Sequence, residues 1–155
     1  LVPASISQDS VKIIETITEK ISKKLNYKGI LCIEFFIDNN DNILVNEIAP
    51  RTHNSGHYSI EGCNISQFEH QIKILTGEKP VISSLTYSSV MLNLLGDLWI
   101  KGNPDFSCTK EKNIFLHLYN KSKAKIGRKM GHITIIGNTL VSNDNKAEEL
   151  FKKLK

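Results

Sequence analysis

Two glutamates in neighbouring β-prone segments are the first residues of this sequence that could do chemistry. Glu34 lies in the apolar run 30–37 and Glu47 lies in the run 43–49. The five residues between the runs are all Asn or Asp, which favour turns because they tolerate positive φ and bond their own backbone. The sequence therefore predicts a β-hairpin that carries one carboxylate on each strand.

The pairing of the two strands decides whether these carboxylates meet. If Asp38 pairs with Ile43 across a four-residue loop, Glu34 lies opposite Glu47, with Cβ atoms about 4.5–5.5 Å apart. Like charges placed there destabilise a sheet unless something lies between them. Mg²⁺ takes carboxylate and phosphate oxygens as ligands, so the pair indicates a magnesium site. The alternatives are a solvent-facing pair of glutamates, or a register that differs by one residue.

A loop rich in polar recognition groups follows the second run. Arg51 offers a fork of donors that suits phosphate or carboxylate, and His53, Asn54 and Ser55 offer directed hydrogen bonds to a polar ligand. Zinc is disfavoured, because no Cys or His stands at ligand spacing from His53 and His57. The alternative interpretation is a surface loop held by its own Asn and Ser hydrogen bonds.

Length and composition narrow the class of protein. The chain has 155 residues, of which 40% are hydrophobic and 23% charged, as in an ordinary globular protein. No apolar run has the length of a transmembrane helix. The net charge of +4 comes from scattered lysines without interleaved aromatics, which disfavours nucleic acid and suits a small anionic ligand. Three cysteines without metal-type spacing indicate a reducing cytosol. Because the chain opens on Leu1 in mid-pattern, we expect a piece of a longer protein.

Helical patterns lie on both sides of the hairpin. Residues 7–26 predict an amphipathic helix with Ser7 as its N-cap. Ser66 opens a capping box before a second, short helix that Gly77 ends. The residues that we expect to form the buried stripe of this second helix are Phe68, Ile72 and Leu75.

Short β-prone segments dominate the chain beyond residue 80. Strands are predicted at 90–95, 114–119 and 132–136, and a helix is predicted at 143–155. The apolar side of this last helix is predicted to consist of Ala147, Leu150, Phe151 and Leu154. The change in pattern predicts an α+β protein with one domain at 1–80 and a small β-rich domain with a terminal helix at 81–155.

The strings around these residues resemble ATP-grasp enzymes, which hold Mg²⁺ ions against the phosphates of ATP with two acidic residues on adjacent strands. More narrowly, EFF, NEIAPRTHNSGHYS and SQFE, followed by MLNLLG, HLYNK and GRKMGH, resemble the family of 5-(carboxyamino)imidazole ribonucleotide synthases. Separated blocks in the correct order are more specific than a single motif. The chain departs from the family's usual Gly at Asn120 and from its usual Arg-Pro at residues 125–126.

The resemblance implies a fold and a role for each candidate residue. The fold would be the C-terminal lobe of an ATP-grasp domain, an antiparallel sheet with helices, followed by a small β-rich domain. Glu34 and Glu47 would bind Mg²⁺, Asn46 and Glu47 would belong to the ATP-phosphate site, and Arg51 would hold carboxyphosphate or its phosphate. The residues implied to contact aminoimidazole ribonucleotide are His53, Asn54 and Ser55. The residues implied to bind its 5′-phosphate are Lys121, Arg128 and Lys129.

The activity implied by the resemblance is the ATP-dependent carboxylation of aminoimidazole ribonucleotide with bicarbonate, through carboxyphosphate, in purine biosynthesis. The complete enzyme would be a cytoplasmic homodimer, and we expect this piece to be inactive without the lobe that carries the adenine pocket. One alternative is a formate-dependent glycinamide ribonucleotide transformylase, which is disfavoured because Asn54 and Ser55 stand where Asp-Thr is usual. A second alternative is a non-catalytic binding or assembly module, and for Lys121 to Lys129 the alternative is a solvated basic loop.

Overall fold

The structure, a computed structural model, describes residues 1–154. Helices alternate with two antiparallel sheets, as the sequence predicts for an α+β protein. The helices are α1 Gln8–Leu25, α2 Ser59–Gly62, α3 Gln67–Leu75 and α4 Leu140–Leu154. The strands are β1 Cys32–Ile37, β2 Ile43–Ala49, β3 Ser88–Leu95, β4 Ile114–Leu118 and β5 Lys129–Gly137. Within the described residues no helix has both the length and the apolar content needed to cross a bilayer.

The described residues form two compact units. The first, called the hairpin unit, contains Ala4–Ile60 and Ile65–Ser83. The second, called the three-stranded unit, contains Leu1–Pro3, Glu61–Asn64 and the described residues from Ser84 onward. The division of the chain into domains 1–80 and 81–155 stays a prediction.

Strands β1 and β2 form the expected hairpin, but its loop is longer than predicted and a β-bulge interrupts the pairing. Ile37, not Asp38, pairs with Ile43, so the loop has five residues. A β-bulge then shifts the register between Glu34 and Phe35. The bulge adds one residue to β2 and compensates the longer loop. Glu34 consequently pairs with Glu47, as predicted.

The turn of the hairpin is built from its own Asn and Asp residues. The Asp38 carboxylate accepts hydrogen bonds from the backbone N–H groups of Asn40 and Asn42 and from the Asn42 side chain. These bonds, the one from the Asn42 side chain above all, lower the pKa of Asp38. Asp41 takes a φ of 59°, which its short polar side chain tolerates.

Helix α1 begins and ends as the sequence predicts. Ser7 caps it by accepting a hydrogen bond from the backbone N–H of Ser10, and Asp9 lies in the first turn, where a negative charge suits the helix dipole. Asn26, with a φ of 45°, ends the helix, and its backbone N–H bonds back to Lys23.

Helix α3 also begins at its predicted cap, where Ser66 accepts a hydrogen bond from the N–H of Glu69. The predicted burial of its apolar stripe is wrong for the described residues. Phe68, Ile72 and Leu75 are 40%, 59% and 72% exposed. Periodicity shows that one helix face is apolar, but it does not show that another element covers that face.

Removal of the Ser66 cap gives a small, testable loss of stability. Ser66→Ala leaves the first turn of α3 without its side-chain acceptor, and we expect the free energy of unfolding to fall by about 1 kcal/mol. Urea unfolding followed by circular dichroism measures the loss. Ser83→Ala, at an exposed serine, is the matched control, and an equal loss in both variants would remove the cap from the explanation.

The three-stranded unit has its core between one face of the sheet and α4. The strand order is β3-β5-β4, with both pairs antiparallel. The residues of this core, all less than 10% exposed, are Val90, Leu94, Ile114, Ile133, Ile135, Ala147, Leu150 and Leu154. Of the predicted apolar side of α4, only Phe151 lies outward, at 38% exposure. Lys155, which the prediction included in the helix, lies outside the described residues.

Candidate functional site

The two carboxylates predicted to bind a metal meet in the hairpin unit. Glu34 and Glu47 are direct cross-strand partners, and their side chains are 32% and 49% exposed. His53 lies against both, with Nδ1 at 3.5 Å from Glu34 Oε1 and Nε2 at 3.8 Å from Glu47 Oε1. The polar loop after β2 therefore folds back over the carboxylate pair.

Hydrogen bonds from the loop and from the bulge fix the Glu34 carboxylate. Ser55 Oγ donates to Glu34 Oε1 at 2.7 Å, and Asn46 Nδ2 donates to Oε2 at 3.3 Å. Asn46 is the extra residue of the bulge, and this position turns its amide towards Glu34. Both Glu34 oxygens thus accept a hydrogen bond, and the two bonds together fix the orientation of the carboxylate.

The ring orientation of His53 follows from its role as the cap of a short 3₁₀ turn, Asn54–Gly56. Its Nδ1 accepts the backbone N–H of Ser55 at 3.3 Å. A neutral His53 must then carry its proton on Nε2, the nitrogen that faces Glu47. The imidazole of the neutral form therefore presents a donor to Glu47 and an acceptor to its own loop.

Gln67, on the first turn of α3, holds the loop in place. Its Oε1 accepts the backbone N–H of His53 at 2.9 Å, and its Nε2 donates to the His53 carbonyl at 2.8 Å. Nε2 also lies 2.8 Å from His57 Nδ1. The sequence alone does not indicate this role of Gln67, because a partner fourteen residues away leaves no periodic signal.

Loss of the Gln67 amide should loosen the loop. Gln67→Ala leaves both backbone groups of His53 without their side-chain partners, so we expect the free energy of unfolding to fall by about 1–2 kcal/mol. Thermal unfolding measures this loss. Gln71→Ala is a matched control on the same helix, since the hydrogen bond that Gln71 accepts from the Ile30 N–H is long, at 3.4 Å. A larger loss at Gln71 would contradict the role given to Gln67.

Two further loop residues leave polar groups available to a ligand. Arg51 is exposed, and one of its guanidinium nitrogens donates to the Thr52 carbonyl at 2.9 Å. Asn54 Nδ2 is buried, and within residues 1–154 it has no hydrogen-bond partner. A buried donor without an acceptor is costly, so this amide suits a ligand that supplies an oxygen.

The metal preference of the site can be tested against its donor atoms. One atom each of Cys32, Glu34 and His53 lies within 4.8 Å of the others, although the spacing of the cysteines along the sequence does not indicate a shared site. Partial burial, followed by the charges of Glu34 and Glu47, raises the pKa of the Cys32 thiol. A protonated thiol is a poor metal ligand, whereas the carboxylate oxygens suit a hard cation such as Mg²⁺.

The three basic residues predicted to bind a phosphate lie in the three-stranded unit, on the segment between β4 and the start of β5. Lys121 Nζ donates to the Lys129 carbonyl at 2.6 Å, and one guanidinium nitrogen of Arg128 donates to the Lys123 carbonyl at 2.8 Å. Asn120, where the family usually has Gly, has a φ of 51°. Asparagine tolerates this left-handed conformation.

The tight 3₁₀ turn after β3, at Gly96–Trp99, anchors this basic segment. Gly96 N–H donates to the Arg128 carbonyl at 2.8 Å, and Asp97 Oδ2 accepts the N–H of Gly127 at 2.8 Å. A Cβ on Gly96 would lie 2.1 Å from the Lys125 carbonyl oxygen. Only glycine allows so close an approach of the two backbones.

Comparison with known protein families finds matches in both halves of the chain. Residues 1–68 match the model of the ATP-grasp domain. Residues 89–146 match the model of the phosphoribosylaminoimidazole carboxylase C-terminal domain.

Three similar proteins and solved structures illustrate the match. The N5-carboxyaminoimidazole ribonucleotide synthase of Staphylococcus saprophyticus is 38% identical over 153 residues, which are 98% of this chain and 40% of that protein. The crystal structure of the Thermotoga maritima synthetase matches 97% of this chain and 43% of its own, with 35% identity and a TM-score of 0.87. The Aspergillus clavatus synthase in complex with ADP and 5-aminoimidazole ribonucleotide matches 97% of this chain and 41% of its own, with 32% identity and a TM-score of 0.84. The chain thus spans about two fifths of the length of these relatives.

Proposed function

We propose that this chain serves the reaction of N5-carboxyaminoimidazole ribonucleotide synthase, an ATP-grasp enzyme. The proposal follows from the resemblance of the chain to the C-terminal portion of that enzyme. The whole protein would carboxylate 5-aminoimidazole ribonucleotide with bicarbonate and ATP, as an ADP-forming ligase of purine biosynthesis. The observation that carries the proposal is the pairing of Glu34 with Glu47 beneath His53.

Glu34 and Glu47 would hold Mg²⁺. Their carboxylate oxygens are hard ligands, and the hydrogen bonds from Ser55 and Asn46 orient the Glu34 carboxylate. When bound, Mg²⁺ neutralises charge on the phosphate oxygens during phosphoryl transfer. Asn46 would contribute to the ATP-phosphate site through its place in the bulge beside Glu47.

The loop would bind the transferred groups. Arg51 would hold carboxyphosphate, or the phosphate that leaves it, with its fork of donors. His53, Asn54 and Ser55 would contact the aminoimidazole ribonucleotide, and the buried Nδ2 of Asn54 is a donor suited to one of its oxygens. Lys121, Arg128 and Lys129 would bind the 5′-phosphate, in line with their positions beside a glycine turn.

The reaction needs no side-chain nucleophile. A bicarbonate oxygen attacks the γ-phosphorus of ATP, ADP leaves, and carboxyphosphate then releases phosphate and CO₂. The exocyclic amine of the ribonucleotide captures the CO₂ as a carbamate and loses one proton. Arg51 would stabilise the charge of the departing phosphate, which is an electrostatic contribution prepared before the reaction begins.

Three further expectations belong to the whole protein. It would be a homodimer, it would act in the cytoplasm, and its chain would divide into an ATP-grasp part at 1–80 and a small β-rich domain at 81–155. Size-exclusion chromatography with light scattering tests the first expectation, and limited proteolysis between the two compact units tests the last.

The decisive test of the proposed substrate is a comparison of bicarbonate with formate. In a chimera where this chain replaces the matching segment of the Staphylococcus saprophyticus synthase, we expect ribonucleotide-dependent ADP formation with bicarbonate and none above background with formate. The untouched synthase is the positive control. Formate-dependent turnover with glycinamide ribonucleotide would instead identify a transformylase.

The chain by itself is expected to bind Mg-ATP feebly or not at all, because it spans about two fifths of its relatives. Isothermal titration calorimetry of the 155-residue chain with Mg-ATP measures this. Affinity in the micromolar range would show that the chain contains a complete nucleotide site. Failure of the chimera, together with binding of neither nucleotide, would favour an assembly module.

A further inference from the structure

A continuous row of side chains leads from Glu61 to Lys121 inside the three-stranded unit. Glu61 Oε1 accepts a hydrogen bond from His117 Nε2 at 2.7 Å. The His117 ring stacks on His132, with centroids 4.5 Å apart and 15° between the planes. His132 Nδ1 shares a hydrogen bond of 2.8 Å with the Tyr119 hydroxyl.

The last contact of this row reaches a residue predicted to bind phosphate. Lys121 Nζ lies 5.4 Å from the centroid of the Tyr119 ring, within the range of a cation–π interaction. The same Nζ donates to the Lys129 carbonyl. The orientation of the Tyr119 ring therefore limits where the Lys121 ammonium can lie.

Two polar side chains of the row are buried, and the other members are partly exposed. His132 is 2% exposed and the Glu61 side chain is 9% exposed. The neighbouring row on the same three strands consists of Leu92, Ile133 and Leu116 and faces the other side of the sheet, because side chains alternate along a strand. Burial of a carboxylate and an imidazole costs more than burial of aliphatic side chains unless hydrogen bonds compensate it. A polar row kept in this place indicates a task beyond packing.

We propose that Glu61, His117, His132 and Tyr119 are positioning residues that hold Lys121 for the phosphate of a ribonucleotide. Glu61 fixes the His117 ring, the stack fixes His132, and His132 fixes the tyrosine that lies beneath the lysine. None of the four is proposed to touch the reacting atoms. The inference rests on the proposed function, because it assumes that Lys121 binds a 5′-phosphate.

Calorimetry with two probes tests the row in the 155-residue chain. The probes are 5-aminoimidazole ribonucleotide and its ribonucleoside, which lacks the phosphate. Tyr119→Phe keeps the ring and removes the hydroxyl, and we expect it to weaken ribonucleotide binding about 3- to 10-fold, the effect of one hydrogen bond. Glu61→Gln should weaken it to a similar extent. Ribonucleoside binding should not change in either variant, and Tyr87→Phe is the matched control.

Histidine ring signals give a second measurement that does not depend on how well a variant folds. In the wild-type chain, the ¹⁵N ring shifts of His117 and His132 should move when the ribonucleotide is added and should stay in place with the ribonucleoside. Signals that stay in place with both probes would overturn the positioning role, even if a variant proves unstable.

The outcomes separate the inference from the function on which it rests. If Lys121→Gln weakens ribonucleotide binding while Tyr119→Phe and Glu61→Gln do not, the proposed function stands and the positioning row is wrong. If the wild-type chain does not distinguish ribonucleotide from ribonucleoside, the phosphate site itself is wrong. Equal losses for both probes would indicate a general structural role and would also overturn the inference.

Discussion

Glu34→Gln and Glu47→Gln are each expected to lower ATP-dependent ADP formation by about three orders of magnitude, the scale on which preorganised charge acts in catalysis. Each substitution removes one negative charge and a hard oxygen ligand while the side-chain volume stays nearly the same. The two glutamates are direct cross-strand partners beneath His53, so neither can substitute for the other. The measurement is coupled-assay turnover by the chimeric synthase, with Mg²⁺ varied.

The free energy of unfolding shows whether these two variants lose turnover through a loss of stability. Like charges directly opposite on adjacent strands repel, so Glu47→Gln should leave the free energy of unfolding of the 155-residue chain unchanged or slightly higher. Glu34→Gln gains the same relief, but it also loses one of the two hydrogen bonds that the Glu34 oxygens accept, so we expect a lower free energy of unfolding for it than for Glu47→Gln. Cys32→Ser is the matched control on the same strand face, and it should retain the wild-type Mg²⁺ dependence because its protonated thiol is a poor ligand. Full turnover in both glutamine variants would remove the metal assignment, and lost Mg²⁺ dependence in Cys32→Ser would transfer it to the thiol.

Gly96→Ala is the substitution expected to disturb the basic segment most. Its Cβ would lie 2.1 Å from the carbonyl oxygen and 2.7 Å from the nitrogen of Lys125. The clash is with backbone, so no side-chain rotation can relieve it. We expect the free energy of unfolding to fall by about 3 kcal/mol, the upper part of the range for overpacking. Urea unfolding of the 155-residue chain measures this loss.

The same variant should also lose ribonucleotide binding, because the N–H of Gly96 bonds to the carbonyl of Arg128. Gly77→Ala separates steric clash from backbone strain, since Gly77 has a φ of 77° and open space around its Cβ position. We expect that control to cost about 1 kcal/mol, the strain of a left-handed alanine. Equal costs at the two glycines would show that the contact with Lys125 is not rigid.

Local patterns were sufficient to predict the hairpin and two helix caps, since Ser7 and Ser66 cap helices where the sequence places them. Glu34 does pair with Glu47, but the predicted pair of Asp38 with Ile43 does not form, and the bulge restores the register. The bulge at Asn46 was not predictable, because loop length and bulge compensate each other without changing the alternation on either side. The exposed stripe of α3 was misjudged, since periodicity does not show whether an apolar face is covered.

Long-range partners account for the rest of what the sequence could not predict. Gln67 contacts His53 across fourteen residues, and Glu61 contacts His117 across fifty-six. Neither pairing repeats along the chain, so no period indicates it. Cys32 shares a strand face with Glu34, and alternation could have suggested this proximity before the fold was known. The roles of the candidate residues in binding stay predictions.

The bulge at Asn46 makes the sheet face of the acidic pair independent of the length of the hairpin turn, although the two are normally linked. In a regular hairpin, one residue gained or lost in the turn moves every later side chain to the opposite surface of the sheet. Here the extra residue of β2 absorbs such a change before it reaches Glu47. Related hairpins could therefore tolerate insertions and deletions at their tips while the acidic pair stays in place.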